Sequence, residues 1–180
     1  MTYYYPCTVD KFKLFYIING ITLIKGCEII KTCCFTGHRE LNQIQVESIT
    51  FTLYRTINDL VERGYTHFIS GFADGADLLC AEVVSQFKKI NSNISLEAAI
   101  PNRDRLNYKS EKFKNLLDKC DNITVLQEKY HKGCFDKRNR YMVDQSDIVV
   151  AIWDGRESGG TYNTISYAQS KGKKVIVIKV

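Results

Sequence analysis

The chain has 180 residues, 44% of them hydrophobic and 25% charged, which is the balance of one globular domain with a core of its own. Its net charge of +5 is mild, compatible with an anionic ligand such as a nucleotide and far from the concentrated basic patches of a dedicated DNA binder. The cations are scattered, Arg103, Arg105, Lys109, Lys112 and Lys114 lying among acids as solvated helix faces do.

Residues 1–31 read as an extension separate from the domain. Tyr3-Tyr4-Tyr5-Pro6 is followed by an apolar run, Leu14 to Ile24, broken by Asn19, Gly20 and Thr22. The run is too short and too interrupted to span a membrane. Asn19-Gly20 also breaks the apolar stretch a secretory signal needs, and Lys25 sits at the supposed cleavage point. Asn-Gly between Ile17-Ile18 and Ile21-Leu23 predicts a two-residue β-hairpin, expected against the domain edge. A third reading is a translation start placed too early, because the codons of Lys25-Gly26-Cys27-Glu28 can resemble a ribosome-binding site. An intact mass beginning near Ile30 would support that reading, and one beginning at Met1 would end it.

From Thr32 onwards the pattern is regular. Thr32–Thr36 reads as a strand, and Val46, Ile49, Leu53, Ile57, Leu60 and Val61 recur at helical spacing over 43–63, ended by Gly64. Thr66–Ser70 is a second strand, followed by a helical stripe of Ala76, Leu79, Val83, Phe87 and Ile90. Ile94–Ile100 is a third strand closed by Pro101, and Phe113, Leu116, Leu117 and Cys120 mark a third helix. A strand over Ile123–Leu126 and a helix over Asp136–Gln145 come next. The apolar run Ile148 to Trp153 has the look of a strand buried on both faces, a helix begins near Gly159, and Lys174–Lys179 is a final strand. Alternating strands and helices predict an α/β fold over residues 32–180. It is a single Rossmann-like domain with an open, mostly parallel sheet, right-handed crossovers and helices on both faces.

Cysteine use agrees with a reduced, cytoplasmic setting. The count of seven is odd and no CxxC pair occurs; Cys33, Cys34 and Cys80 fall in a predicted strand and helix, as small buried hydrophobes. His131 and Cys134 resemble half a zinc site with no second half at metal spacing, so no metal is expected.

In an open α/β sheet, ligands lie beyond the C-terminal ends of the strands. Four loops fall there: Thr36-Gly37-His38-Arg39, Gly71 to Asp77, Pro101 to Arg105, and Asp154 to Thr161. Gly71 and Gly75 are expected to let a phosphate or sugar approach the backbone. Asp74 and Asp77 read either as ribose contacts or as helix-start residues. His38 and Arg39 suit phosphate or a stacked base, or simply a surface turn. Arg138 and Met142 share a helix face, so Arg138 reaches a phosphate while Met142 packs beside a base, unless Met142 is plain core. Gly159-Gly160-Thr161 at a helix N-terminus is the expected phosphate cradle, with the Thr161 hydroxyl as an extra donor.

Four motifs, CCFTGHR at 33–39, SGFADGAD at 70–77, RNRYMVDQSD at 138–147 and SGGT at 158–161, resemble the SLOG superfamily. That superfamily groups the Lonely-Guy phosphoribohydrolases with the Smf/DNA-processing proteins, and the resemblance is strongest to its small bacterial YpsA-like branch. It covers Thr32 to Val180. The resemblance implies a Rossmann-like fold and a pocket for a nucleotide or nucleotide-derived ligand of the AMP, NAD or ADP-ribose class, with no further cofactor. It also implies a sensor or regulator in a stress or defence context. Carried over by motif, the ligand-binding set is Thr36, Gly37, His38, Arg39, Ser70, Gly71, Asp74, Gly75, Ala76, Asp77, Pro101, Arg138, Asn139, Met142, Asp154, Gly159, Gly160 and Thr161.

Lonely-Guy enzymes cleave the N-glycosidic bond of nucleoside monophosphates. Their pattern is Arg-Lys-x-x-Met followed by Pro-Gly-Gly-x-Gly-Thr-x-x-Glu. Arg138 and Met142 match the first part; the second lacks its proline and one glycine, and Thr164 stands where the glutamate is expected. Cleavage through an oxocarbenium-like state wants a carboxylate, which leaves Asp154, Glu157, Asp74 and Asp77 as substitutes, with Arg138 as the cation beside them. Three readings follow: a ligand sensor without turnover, an N-glycosidic hydrolase, and a single-stranded DNA binder. A small-molecule nucleotide is the expected partner ahead of nucleic acid, a homo-oligomer stays open, and no membrane partner is expected.

Overall fold

The computed structural model describes residues 13–18, 21–26 and 30–180. The chain divides into two units, Met1–Ile30 and Lys31–Val180. In the first, β1 (Lys13–Ile18) and β2 (Ile21–Gly26) pair antiparallel, with Ile18 opposite Ile21 and Lys13 opposite Gly26. This is the register that a two-residue connection imposes. The Asn19-Gly20 turn and the Tyr3–Pro6 stretch lie outside the described residues.

The second unit runs β3 (Lys31–Gly37), α1 (Gln43–Glu62), β4 (Tyr65–Ser70), α2 (Ala76–Ile90), β5 (Ser95–Ile100) and a short 3₁₀ turn (Arg103–Asn107). It continues with α3 (Glu111–Leu117), β6 (Asn122–Val125), α4 (Cys134–Asp144), β7 (Ile148–Trp153), α5 (Gly159–Ser170) and β8 (Lys174–Lys179). Strands β3 to β8 form one six-stranded sheet of order β6-β5-β4-β3-β7-β8, parallel at every pairing.

Side-chain alternation along the strands assigns each residue to one of two cores. Cys33, Phe35, Phe68, Leu96, Ile100, Val150 and Ile152 join the core that also contains the buried faces of α1, α2 and α3. Cys34, Ile69, Ala99 and Val149 join the other core, with Met142 and Val143 of α4 and Ala168 of α5. Period-two alternation with both faces covered is why the central strands read as unbroken apolar runs. Leu53, Ile57 and Leu60 of α1 are fully buried, and each such burial contributes about 1.5–3 kcal/mol. The same helix starts with a capping box: Asn42 accepts from the Gln45 N–H at 2.9 Å, and the Gln45 side chain accepts from the Asn42 N–H at 2.9 Å.

From β3 the chain steps outward through β4, β5 and β6, then returns to place β7 on the other side of β3. The order therefore reverses between β3 and β7, and a crevice opens beyond their C-terminal ends. Among the described residues, no helix is long and apolar enough to cross a membrane. Cys33, Cys34, Cys80, Cys120 and Cys134 are free thiols, and burial pushes those of Cys34 and Cys120 up to about 12. Such thiols are poor nucleophiles.

Candidate functional site at the switch point

A cavity of about 300 Å³ occupies the crevice. The end of β3 supplies Thr36, Gly37, His38 and Arg39; the loop and helix after β4 supply Ala73 and Asp77. Helix α4 contributes Phe135, Asp136, Arg138, Asn139 and Met142, and α5 contributes Gly160, Thr161 and Asn163. On α4, residues 135, 138, 139 and 142 follow i, i+3, i+4, i+7 spacing, so one helix face forms one wall. At Gly37 there is room for hydrogen only: a Cβ would meet the side chains of Ala76 and Ile152, so β3, β7 and α2 converge here.

Arg138 is the centre of the cavity's electrostatics. It is 4% exposed, donates Nη1–H to the Gly71 carbonyl and Nε–H to Asn139 Oδ1 at 2.8 Å, and has Nη1 3.6 Å from Asp77 Oδ2. Asp77 is 5% exposed and also accepts from the Ala73 N–H at 3.3 Å. Burial pushes the Asp77 carboxyl above its ordinary range, with Arg138 opposing the rise. Burial likewise lowers the Arg138 guanidinium, with Asp77 opposing. On both groups burial and the pairing pull in opposite directions: burial favours the neutral forms, and the partner's charge favours the ionised ones.

The N-terminus of α5 closes the opposite side. Its N-cap, Ser158, is extended and makes no side-chain cap, and Gly159 at φ +85° turns the chain into the helix. The first-turn N–H groups beside Gly160 and Thr161 thus keep donor capacity at the positive end of the helix dipole. Thr164 turns away from this role: its hydroxyl donates to the Gly160 carbonyl at 2.7 Å, within the helix. His38 and Asp154 tie the β3 and β7 loops together. His38 Nε2 accepts from the Asp154 N–H at 3.1 Å and lies 2.9 Å from Asp154 Oδ1. The Arg156 backbone N–H and then its guanidinium, 2.7 Å from Asp154 Oδ2, hold the Asp154 carboxyl down at about 2. A group that acidic is ionised at neutral pH and cannot serve as a general acid there.

Several expected ligand contacts have other occupations. The space above Gly71 holds protein: a Cβ there would overlap the Arg138 guanidinium and stand 2.6 Å from Asp77 Oδ2. Gly75, at φ +76°, is pressed against the backbone of His38 and Arg39. Ser70 is fully buried, donating to the Asp77 carbonyl at 2.8 Å. Asp74 accepts from Tyr108 Oη at 3.0 Å and lies 3.4 Å from Arg105, outside the cavity. Gly75 provides the N-cap backbone of α2, and Asp77 stands in the helix's first turn, a helix-start position as expected, while Asp74 precedes the helix. Ala76, Pro101, Asp154 and Gly159 are also not part of the cavity lining. Phe135, Asp136, Asn163 and Ala73 line it without having been expected. For Phe135 the signal was its place three residues before Arg138. Phe72 carries a φ of +52° while fully buried and set edge-on to Phe113 at 5.6 Å, so packing holds an unfavourable backbone beside the site.

A polar network behind the cavity fixes α4. Tyr141 donates to Glu97 Oε1 at 2.8 Å, and His67 bridges Glu97 Oε2 at 2.9 Å and Ser95 Oγ at 2.8 Å. Burial pushes the Glu97 carboxyl up, but hydrogen bonds from His67, Tyr141 and Thr124 bring it below its ordinary value. No group of three His, Cys, Asp or Glu suited to a metal occurs among the described residues.

Comparison with known proteins agrees with this geometry at the level of fold. The SPbeta prophage-derived protein YoqJ of Bacillus subtilis (strain 168) is 29% identical over 134 residues, covering 65% of this chain and 78% of that protein. A UPF0398 protein of Bacillus cereus (strain B4264) is 25% identical, covering 71% of this chain and 73% of its own. DNA processing protein A of Streptococcus pneumoniae superposes with a TM-score of 0.64 at 20% identity, over 84% of this chain. This chain spans about half of that protein, 51%. DNA processing protein A from Helicobacter pylori, described for its single-stranded DNA binding mode, gives 0.59 at 23% identity, covering 82% of this chain and 64% of that one. The YspA SLOG family matches residues 33–179, essentially the whole second unit, and the chain belongs to that family.

Proposed function

We propose that this protein binds a nucleotide or nucleotide-derived ligand in the β3/β7 cavity and acts as a cytoplasmic sensor or regulator without turning the ligand over. The observation that carries this reading is Arg138, buried to 4% beside an α5 N-terminus with no side-chain cap. Two anion-seeking groups face one concave space, one charged and one dipolar. Met142 and the Phe135 ring supply apolar surface for a base or sugar. A phosphate beside Arg138 would return the attraction that its desolvation has cost.

Turnover as an N-glycosidic hydrolase is disfavoured by where the carboxylates are. Thr164, at the position where a glutamate is expected, is engaged with its own helix; Asp154 is bound to Arg156 and His38, Asp77 is paired with Arg138, and Asp136, which lines the cavity, is paired with Arg140 at 2.9 Å. Native mass spectrometry of freshly purified protein tests the binding reading, with the expected result a co-purified adduct of nucleotide mass. Its complement is a thermal-shift panel of AMP, NAD and ADP-ribose. No adduct and no shift with any of them would sink the proposal, and release of free base from AMP would replace it with the hydrolase reading. Single-stranded DNA is a second reading, supported by the fold shared with the Helicobacter pylori protein. A salt-sensitive gel shift would favour it.

A further inference from the structure

We infer that the ligand carries two anionic groups, the second seated in a separate small cleft bounded by Arg39, Arg105 and Arg138. This rests on reading the main cavity as a nucleotide site. The cleft measures about 50 Å³; besides the three arginines its walls include one carboxylate, Asp74, and the apolar side chains of Phe72, Pro101 and Phe135. By that measure it holds roughly four waters or one tetrahedral oxyanion, and neither a sugar nor a base. Arg39, Ala73, Phe135 and Arg138 line both spaces, so the cleft adjoins the main cavity across these residues.

Charge and rigidity make the cleft an anion site. Three guanidinium groups converge there, against the Asp77 carboxylate at 3.6 Å from Arg138 and the Asp74 carboxylate at 3.4 Å from Arg105. Arg39 has no carboxylate within ion-pair distance among the described residues; its guanidinium lies 5.1 Å from the centre of the Phe135 ring. Both Arg39 and Arg105 work against the charge on Arg138, a repulsion that an added anion would reverse. Arg105 is held ready: it stacks 3.7 Å over the Tyr108 ring and donates to the Phe72 carbonyl at 3.3 Å. A guanidinium fixed by stacking loses little freedom on forking to an oxyanion. A diphosphate-linked nucleotide and a nucleotide phosphorylated at two positions share this chemistry.

Titration calorimetry at fixed ionic strength separates the cases, with AMP as the one-anion probe and ADP, ADP-ribose and adenosine 3′,5′-bisphosphate as two-anion probes. In the wild-type protein at least one two-anion probe should bind about 10-fold or more tighter than AMP, the value of one charged hydrogen-bond pair. ADP or ADP-ribose in the lead indicates a diphosphate link, and the bisphosphate in the lead indicates separated positions. Arg105→Gln should reduce the ratio to about one. Asp74→Asn, which removes the carboxylate beside Arg105 while keeping an oxygen that can accept from Tyr108, should raise it. AMP binding as tightly as every two-anion probe, or a ratio unchanged by both substitutions, overturns the second site and leaves the cavity reading standing. No binding of any probe overturns the cavity reading itself, and the inference with it.

Discussion

The loops after β4 and β7 look alike in sequence, each a glycine-rich turn leading into a helix, yet their glycines do opposite things. In Gly71 to Asp77 the missing side chains are replaced by protein: Arg138 and Asp77 fill the space at Gly71, and the His38–Arg39 backbone fills it at Gly75. In Gly155 to Thr161 the space stays open. Nothing lies within 4 Å of a Cβ built on Gly155 or Gly159, and only Asn139 Nδ2, at 4.0 Å, approaches one on Gly160. Glycine therefore marks a close approach without saying what approaches. The first loop builds the wall that holds Arg138, and the second leaves room for what Arg138 attracts.

The sharpest way to break this contrast is alanine at each loop. Gly71→Ala should expel the Arg138 guanidinium from its place against the Gly71 carbonyl. Disrupting a buried ion pair costs about 3–5 kcal/mol, readable as a lower urea midpoint, and ligand affinity should go with it. Arg138→Met should cost a similar amount by leaving Asp77 buried alone. The double variant Asp77→Leu/Arg138→Met should recover most of that stability, to within about 1–2 kcal/mol, while binding stays lost. Recovered binding in the double variant would remove Arg138 from the site.

A smaller effect concerns the network behind α4. Because the folded Glu97 carboxyl lies below its ordinary value, its contribution is complete above the unfolded pKa of about 4.3 and disappears as pH falls through the folded value. Glu97→Gln should therefore lower stability by about 1–3 kcal/mol at pH 7 and flatten the acid limb of a stability–pH curve. An unchanged acid limb would show that Glu97 is not what acid titrates. The smallest effect has the opposite sign. Gly160→Ala meets no steric obstacle inside α5 and should stabilise by up to about 1 kcal/mol, while weakening the ligand by placing a methyl group at the cavity. Together with Gly71→Ala, it turns the comparison into a difference of sign.

The alternation of apolar strands and amphipathic helices made the six-stranded sheet legible, because both periods are local properties of the chain. β7 is bounded at Ile148 and Trp153 as its uninterrupted apolar run indicates. The sheet is parallel at every pairing, where a mostly parallel one was expected. The start of α4 was less legible: it begins at Cys134, two residues early, because Gly133 in a left-handed conformation serves as its N-cap. The roles of Gly71 and Ser70 were not legible at all. The partner of Gly71 is Arg138, 67 positions away, and no local pattern encodes that meeting. Arg138, Met142, Gly160 and Thr161 were legible as candidates because helix spacing and a glycine-rich helix start are themselves local, and Asn139 came only with the family motif. Asp154 was a candidate too, but its partners were not legible, since its contact with His38 appears only once the β3 and β7 loops are side by side.

The most direct test is isothermal titration of AMP, NAD and ADP-ribose into the wild-type protein and into the double variant Asp77→Leu/Arg138→Met, with circular dichroism checking that the variant, as expected, keeps the fold without the buried charges. The expected result is saturable binding of at least one of the three to the wild type and none to the variant. Equal binding to both proteins, or no binding to the wild type, would contradict it.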